Sequence, residues 1–326
     1  MFRKIVLGLL AIVVLVVVGF AGYVASRQNL KFDKTPYPDI TASTDSAVIA
    51  RGEYIVSAVA PCASCHGDTS HAAVAAAAAN GGVPPLSGGF MFDIPPGKFY
   101  PRNITSDKAT GIGAIPDSLI ARALRMGVRH DGRALLPFME LQGMSDEDLT
   151  AVISYLRTLP PVNNPVPDHQ PNLLGRIVLA TVLSKPVGPK TPPPATSPHG
   201  ATVENGRYLA GSVALCVTCH TQRNQATGEY TGTPYAGAQA FETDTLGNVF
   251  NPPNLTPART GRITTMTEDE FVARMRAGRA VPHSPMPWQV FGRMHEEDLR
   301  AIYRFLHSLP PTENDVGPGV TQKAKT

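Results

Sequence analysis

All four cysteines of this 326-residue chain fall in two short stretches, CASCH at Cys62–His66 and CVTCH at Cys216–His220. The sequence around the first stretch recurs, in order, around the second. Gly52-Glu53-Tyr54 and Gly206-Arg207-Tyr208 each place a glycine ten residues ahead of the first cysteine. Downstream, Asn103-Ile104-Thr105 answers Asn254-Leu255-Thr256, and Leu124-Arg125-Met126-Gly127 answers Met275-Arg276-Ala277-Gly278. Each half then presents apolar residues at i, i+3, i+4 and i+7: Leu149, Val152, Ile153 and Leu156, then Leu299, Ile302, Tyr303 and Leu306. That periodicity predicts amphipathic helices. Both helices should stop at a Leu-Pro-Pro, because proline disfavours helix at the residue before it. A tandem duplication accounts for this ordered match.

The N-terminus adds a third part. Behind Arg3 and Lys4 lies an uncharged apolar run from Ile5 to Ala25. As a helix it would reach roughly 31 Å, enough for a bilayer core. Its length favours an uncleaved anchor over a secretory signal, although small residues at Gly19 and Ala21 would also suit cleavage. Basic residues flank both ends, so charge alone does not orient it. The chain therefore divides into an anchor or signal (1–26), a tether (27–45), a first domain (46–160), a proline-rich linker (161–200), a second domain (201–314) and a solvated tail (315–326). Within the linker, Leu173–Leu183 reads as a short amphipathic helix that packs on a domain or lies on the membrane. A net charge of +3, with no basic run interleaved with aromatics, speaks against nucleic-acid binding.

Two cysteines three apart share one face of a helical turn, and the following histidine lies beside them. Such thiols can each form a thioether with a porphyrin vinyl group, while the histidine offers its imidazole to the iron. This is the signature of c-type haem attachment. Cys62, Cys65, Cys216 and Cys219 are the expected tethers, and His66 and His220 the expected axial ligands, for two covalently bound haem c groups. A zinc site made of two Cys-x-x-Cys pairs would leave both following histidines as coincidence. A thioredoxin-like dithiol would want a βαβ context, and no alternating strand pattern is present.

Each half resembles a class I cytochrome c domain, which begins with a helix carrying a Gly-x-aromatic element and ends with a helix crossing it. NITSDKATGIG, DGRALLPFM, CVTCHTQRN and SPMPW also resemble the membrane-bound multihaem cytochrome c subunits of bacterial periplasmic alcohol and aldehyde dehydrogenases. The resemblance implies an all-α fold, with two tandem cytochrome c domains after a transmembrane helix. It implies an electron-transfer protein in the inner membrane, its haem domains in the periplasm. The donor would be a periplasmic dehydrogenase, and the acceptor an oxidase, a soluble cytochrome or quinone. The family usually has three haem motifs and often a C-terminal anchor; this chain has two motifs and an N-terminal apolar span.

The sixth iron ligand separates a carrier from an enzyme such as a dihaem peroxidase, which needs an open or displaceable position. Class I domains use a methionine from a loop ahead of the last helix. Met139 or Met144 could serve in the first half, and Met286 or Met294 in the second, with His283 as a competitor. Met139 and Met286 lie in proline-bearing loops and match the family motif, so they are favoured. Met144 and Met294 sit where an apolar residue staples a helix start. Arg125 and Arg276 read as solvated helix faces, with pairing to haem propionates as the alternative. Trp288 either packs on a haem edge or fills a gap.

Overall fold

The structure is a computed structural model that describes residues 2–80, 82–224, 227–243, 246–282 and 284–322. It is mostly helical. α1 (Phe2–Arg27) is a 26-residue apolar helix, long enough to cross a membrane, with only Val24 buried. The first half contains α2 (Ser46–Tyr54), α3 (Cys62–His66), α4 (His71–Ala79), α5 (Asp117–Met126) and α6 (Asp146–Thr158), and is followed by α7 (Leu173–Thr181). The second half contains α8 (Val203–Tyr208), α9 (Cys216–Cys219), α10 (Glu268–Arg276), α11 (Trp288–Phe291) and α12 (Glu296–His307).

The repeated glycines mark where helices cross. A Cβ on Gly52 would lie 1.9 Å from the carbonyl oxygen of Ala151 in α6, and one on Gly206 would lie 1.9 Å from that of Ala301 in α12. No side chain fits there, so α2 packs directly on α6 and α8 on α12. After each crossing the chain widens into a single π-type turn. Ala60 N–H donates to Ile55 C=O at 2.7 Å, and Ala214 N–H to Leu209 C=O at 2.7 Å. These turns carry the chain from the crossing helix to the cysteine motif. Ser145 Oγ accepts from Asp148 N–H at 3.0 Å and so caps α6.

Two small sheets depart from the all-α expectation. β1 (Phe92–Ile94), β2 (Gly97–Phe99) and β3 (Gln170–Pro171) form one antiparallel sheet, and β4 (Glu242–Thr243), β5 (Asn248–Phe250) and β6 (Val320–Gln322) the other. β3 comes from the expected linker and β6 from the expected solvated tail, where Val316 is also buried. Each half thus recruits the segment after its Leu-Pro-Pro to finish a sheet. The linker stays on the first half beyond β3. Asp146 and Glu147 N–H donate to the carbonyls of Pro194 and Ala195, both at 3.0 Å. The tether is docked as well: Ile40 is buried, and Arg122 bonds the Tyr37 hydroxyl at 2.9 Å.

Buried side chains from both halves make one contiguous cluster, including Ile55, Val59, Leu149 and Ile153 with Leu209, Val213, Leu299 and Phe305. The two π-type turns meet at this junction.

Candidate functional site

Each cysteine motif sits on a helical turn launched from the π-type turn. At the end of α3, His66 Nδ1 lies 2.7 Å from the carbonyl oxygen of Arg102; in the second half, His220 Nδ1 lies 2.8 Å from that of Pro253. Both carbonyls immediately precede the asparagine of the repeated Asn-x-Thr. Asn103 is buried, and its amide donates to Val162 C=O at 2.7 Å and Thr110 Oγ1 at 3.0 Å. Its own oxygen accepts from Thr105 N–H and Oγ1 at 3.0 and 2.7 Å. Asn254 repeats this with Thr312, Thr260 and Thr256. The asparagine therefore pins the loop that offers the carbonyl, and the carbonyl fixes the ring.

A carbonyl can only accept, so each Nδ1 carries the proton and each Nε2 keeps a free lone pair. Burial pushes both imidazoles below the usual histidine range, against the smaller opposing effect of the carbonyl bond. Neutral rings with one free nitrogen suit metal ligation. The cysteines are unpaired thiols. Burial pushes Cys62 up to about 12, Cys65 to about 11 and Cys216 to about 12, and raises Cys219 as well. A redox dithiol needs the opposite shift. Among the described residues, no three His, Cys, Asp or Glu side chains converge as a metal cage.

In the first half Cys65, His66 and Met139 line a cavity of about 430 Å³, with Phe92, Phe99 and Phe138 as aromatic walls. Arg102, Arg129 and Arg133 add a cationic side, with His169 beside them. Arg102 Nε is buried with no partner among the described residues, a donor left for an anion. A thiol, an imidazole, a thioether, aromatic walls and cations for carboxylates, with the Cys62 thiol on the same helical turn, fit a covalently held haem. The cationic set escaped sequence reading, because Arg102 and the pair Arg129 and Arg133 come from separate segments of the chain.

The competing methionines differ in burial. Met139 is half-buried on the cavity, whereas Met144 is 1% exposed inside the core just before α6. In the second half, Met286 is half-buried against the core, and Met294 is 1% exposed before α12. His283 lies outside the described residues. Arg125 departs from the solvated-face reading: it is 4% exposed and bonds the carbonyls of Gln142 and Met144 and the Asp146 carboxylate. The Gln142 amide in turn donates to Met139 C=O at 3.0 Å. Arg125 therefore ties the Met139 loop to the start of α6. Arg276 donates to Gly292 C=O. Trp288 lies under the Arg274 guanidinium, 3.9 Å from its ring centre, and bonds Ser284 Oγ at 3.4 Å.

No protein-family profile matches the chain. It is 30% identical over 288 residues to the cytochrome c subunit of a quinone alcohol dehydrogenase from Gluconobacter oxydans, covering 82% of this chain and 55% of that protein. It is 27% identical over 289 residues to the fructose dehydrogenase cytochrome subunit of Gluconobacter japonicus, covering 84% of this chain and 55% of that one. The gluconate 2-dehydrogenase cytochrome c subunit of Pantoea cypripedii is 28% identical over 294 residues, with 81% and 60% coverage. The chain thus spans little more than half the length of these relatives. In its sequence, over four-fifths of its length, the chain is similar to the cytochrome c subunits of sugar, sugar-acid and alcohol dehydrogenases.

Proposed function

We propose that this protein is a membrane-anchored dihaem cytochrome c, an electron carrier and not itself a catalyst. It would take electrons from a periplasmic dehydrogenase and pass them to a respiratory acceptor: an oxidase, a soluble cytochrome or quinone. The observation that carries this reading is the duplicated His–carbonyl–Asn arrangement behind two Cys-x-x-Cys-His turns. In this reading Cys62, Cys65, Cys216 and Cys219 would hold two haem c groups, with His66 and Met139, and His220 and Met286, as the residues offered to the irons. α1 would be a single-pass anchor in the bacterial inner membrane, with both haem domains on the periplasmic side.

Haem supplies a one-electron iron couple. The chain supplies the rest. The Nδ1–H bonds hold each imidazole in one tautomer and orientation. The loop from Met139 to Met144, tied down by Arg125, holds a thioether at the cavity. The aromatic walls exclude water, and two strong ligands keep rearrangement small on electron exchange.

Mass spectrometry of the mature protein tests the reading: two covalent haems are expected, and a bare chain would refute it. The rival is a dihaem peroxidase. Adding carbon monoxide to the reduced protein separates the two. The carrier should stay spectrally unchanged, while rapid binding at either haem would favour the enzyme.

A further inference from the structure

We infer that α7 is a second membrane contact, lying in the headgroup layer of the bilayer beside the point where α1 leaves it. This rests on the reading of α1 as a membrane span. Three observations converge on α7. First, it turns apolar side chains outward: Leu173 is 74% exposed, Leu174 51% and Val182 47%. Ile177 and Val178, one helical turn on, are half-exposed, so leucine, isoleucine and valine share a continuous stripe. The helix has no acidic residue, and its one charge is Arg176. A helix packed on a water-soluble domain would show polar residues there.

Second, α7 is held rigidly. Asn172 caps it by accepting from Gly175 N–H at 3.0 Å, and donates to Pro95 C=O at 2.8 Å. Gly175 packs against the carbonyl of Pro96, where a Cβ would come within 2.0 Å. The apolar stripe is thus displayed by a clamped element.

Third, its position is the bilayer edge. α7 packs against α1, whose only buried residue is Val24. Phe20 and Tyr23 stand on the last turns of α1, and Arg27 stacks over Tyr23 at 5.0 Å from the ring centre. Aromatic residues followed by a cation mark the membrane–water interface of a spanning helix. Arg27 at the end of α1 and residues 28–30 just after it line the first-half cavity together with Arg176, Leu179 and Leu183 of this segment. An apolar face with basic neighbours at that depth fits the headgroup and acyl boundary. The same contact sets the cavity of Cys65, His66 and Met139 against the bilayer surface.

The test uses the full-length haem-loaded protein in phospholipid vesicles, with a nitroxide attached to Leu173→Cys, Leu174→Cys or Val182→Cys, one at a time. Val14→Cys in α1 and Glu204→Cys on the second half are the references. Collisions with oxygen and with a water-soluble nickel chelate are compared. Oxygen should prevail at positions 14, 173, 174 and 182, and the chelate at 204. A water-exposed label at 14 would overturn the anchor reading itself. A lipid-buried label at 14, with 173, 174 and 182 behaving like 204, would overturn the α7 inference alone. Shielding of those three that needs added dehydrogenase would assign the stripe to a protein partner instead.

Discussion

The hydroxyl of Tyr54 donates to the carboxylate of Asp298, 2.5 Å away across the junction of the two halves. The opposite pair answers it: Tyr208 donates to Asp148 at 2.7 Å. Each aspartate also accepts a bond from within its own half, Asp148 from Arg51 at 2.8 Å and Asp298 from Asn205 at 3.0 Å. The halves thus exchange equivalent contacts, as the subunits of a two-fold dimer do. Burial, reinforced by the carboxylate, raises both phenols well above their ordinary range, so they remain donors.

Tyr54→Phe should therefore cost about 1–3 kcal/mol in equilibrium unfolding, because it strips a donor from a largely buried carboxylate. Tyr208→Phe should cost a similar amount. Combining Tyr54→Phe with Asp298→Asn should be non-additive by about 0.5 kcal/mol or more. Strict additivity would mean the pair contributes nothing as a pair.

The helix crossings give a second expectation. Gly52→Ala pushes a methyl group into the Ala151 carbonyl, and Gly206→Ala into that of Ala301. Overpacking against rigid backbone should destabilise each half by at least about 1–3 kcal/mol. Thermal unfolding of the two variants measures this, and an unchanged midpoint would contradict the close approach.

The four methionines should separate cleanly by readout. Met139→Ala and Met286→Ala should each abolish the sulfur-to-iron charge-transfer band of one haem and lower its potential, with modest loss of stability. Met144→Ala and Met294→Ala remove core side chains, so they should cost about 2–5 kcal/mol and leave the band intact. A lost band in Met144→Ala with an intact one in Met139→Ala would reverse the ligand assignment.

His169 carries a pH dependence. Burial, with Arg102 and Arg129 nearby, depresses it to about 4, and its Nδ1 accepts from Tyr100 N–H at 3.1 Å. The folded state therefore keeps this ring neutral while the unfolded chain protonates near its ordinary pKa of about 6.5. The stabilisation is complete above that pH and is lost as pH falls from about 6.5 toward 4. Allowing for partial solvent access, the loss should be about 1–2 kcal/mol. His169→Phe should flatten that portion of the stability profile, and an unchanged slope would show that the ring does not titrate this way.

Sequence reasoning reached furthest where a period or a fixed offset carried the information. The glycine ahead of each motif and the apolar stripes of α6 and α12 could be read in advance. β3 and β6 could not, since strands of two or three residues among prolines have no alternation to detect. A missed clue did exist. Asn164 and Asn314 each stand five residues after the leucine of Leu-Pro-Pro. Their amides donate to Ser87 C=O at 2.9 Å and Ala236 C=O at 2.8 Å. Extending the repeat by that asparagine would have drawn both trailing segments into the fold. Arg125 was opaque for another reason: two of its partners are backbone carbonyls brought together only by the loop's path.

The returning strands also set a timetable for synthesis. The first sheet can close once residues 170–171 have emerged, while the second must wait for residues 320–322. The first of the two sheets is therefore complete in the growing chain before CVTCH is made, and the second is finished only by the chain's last residues.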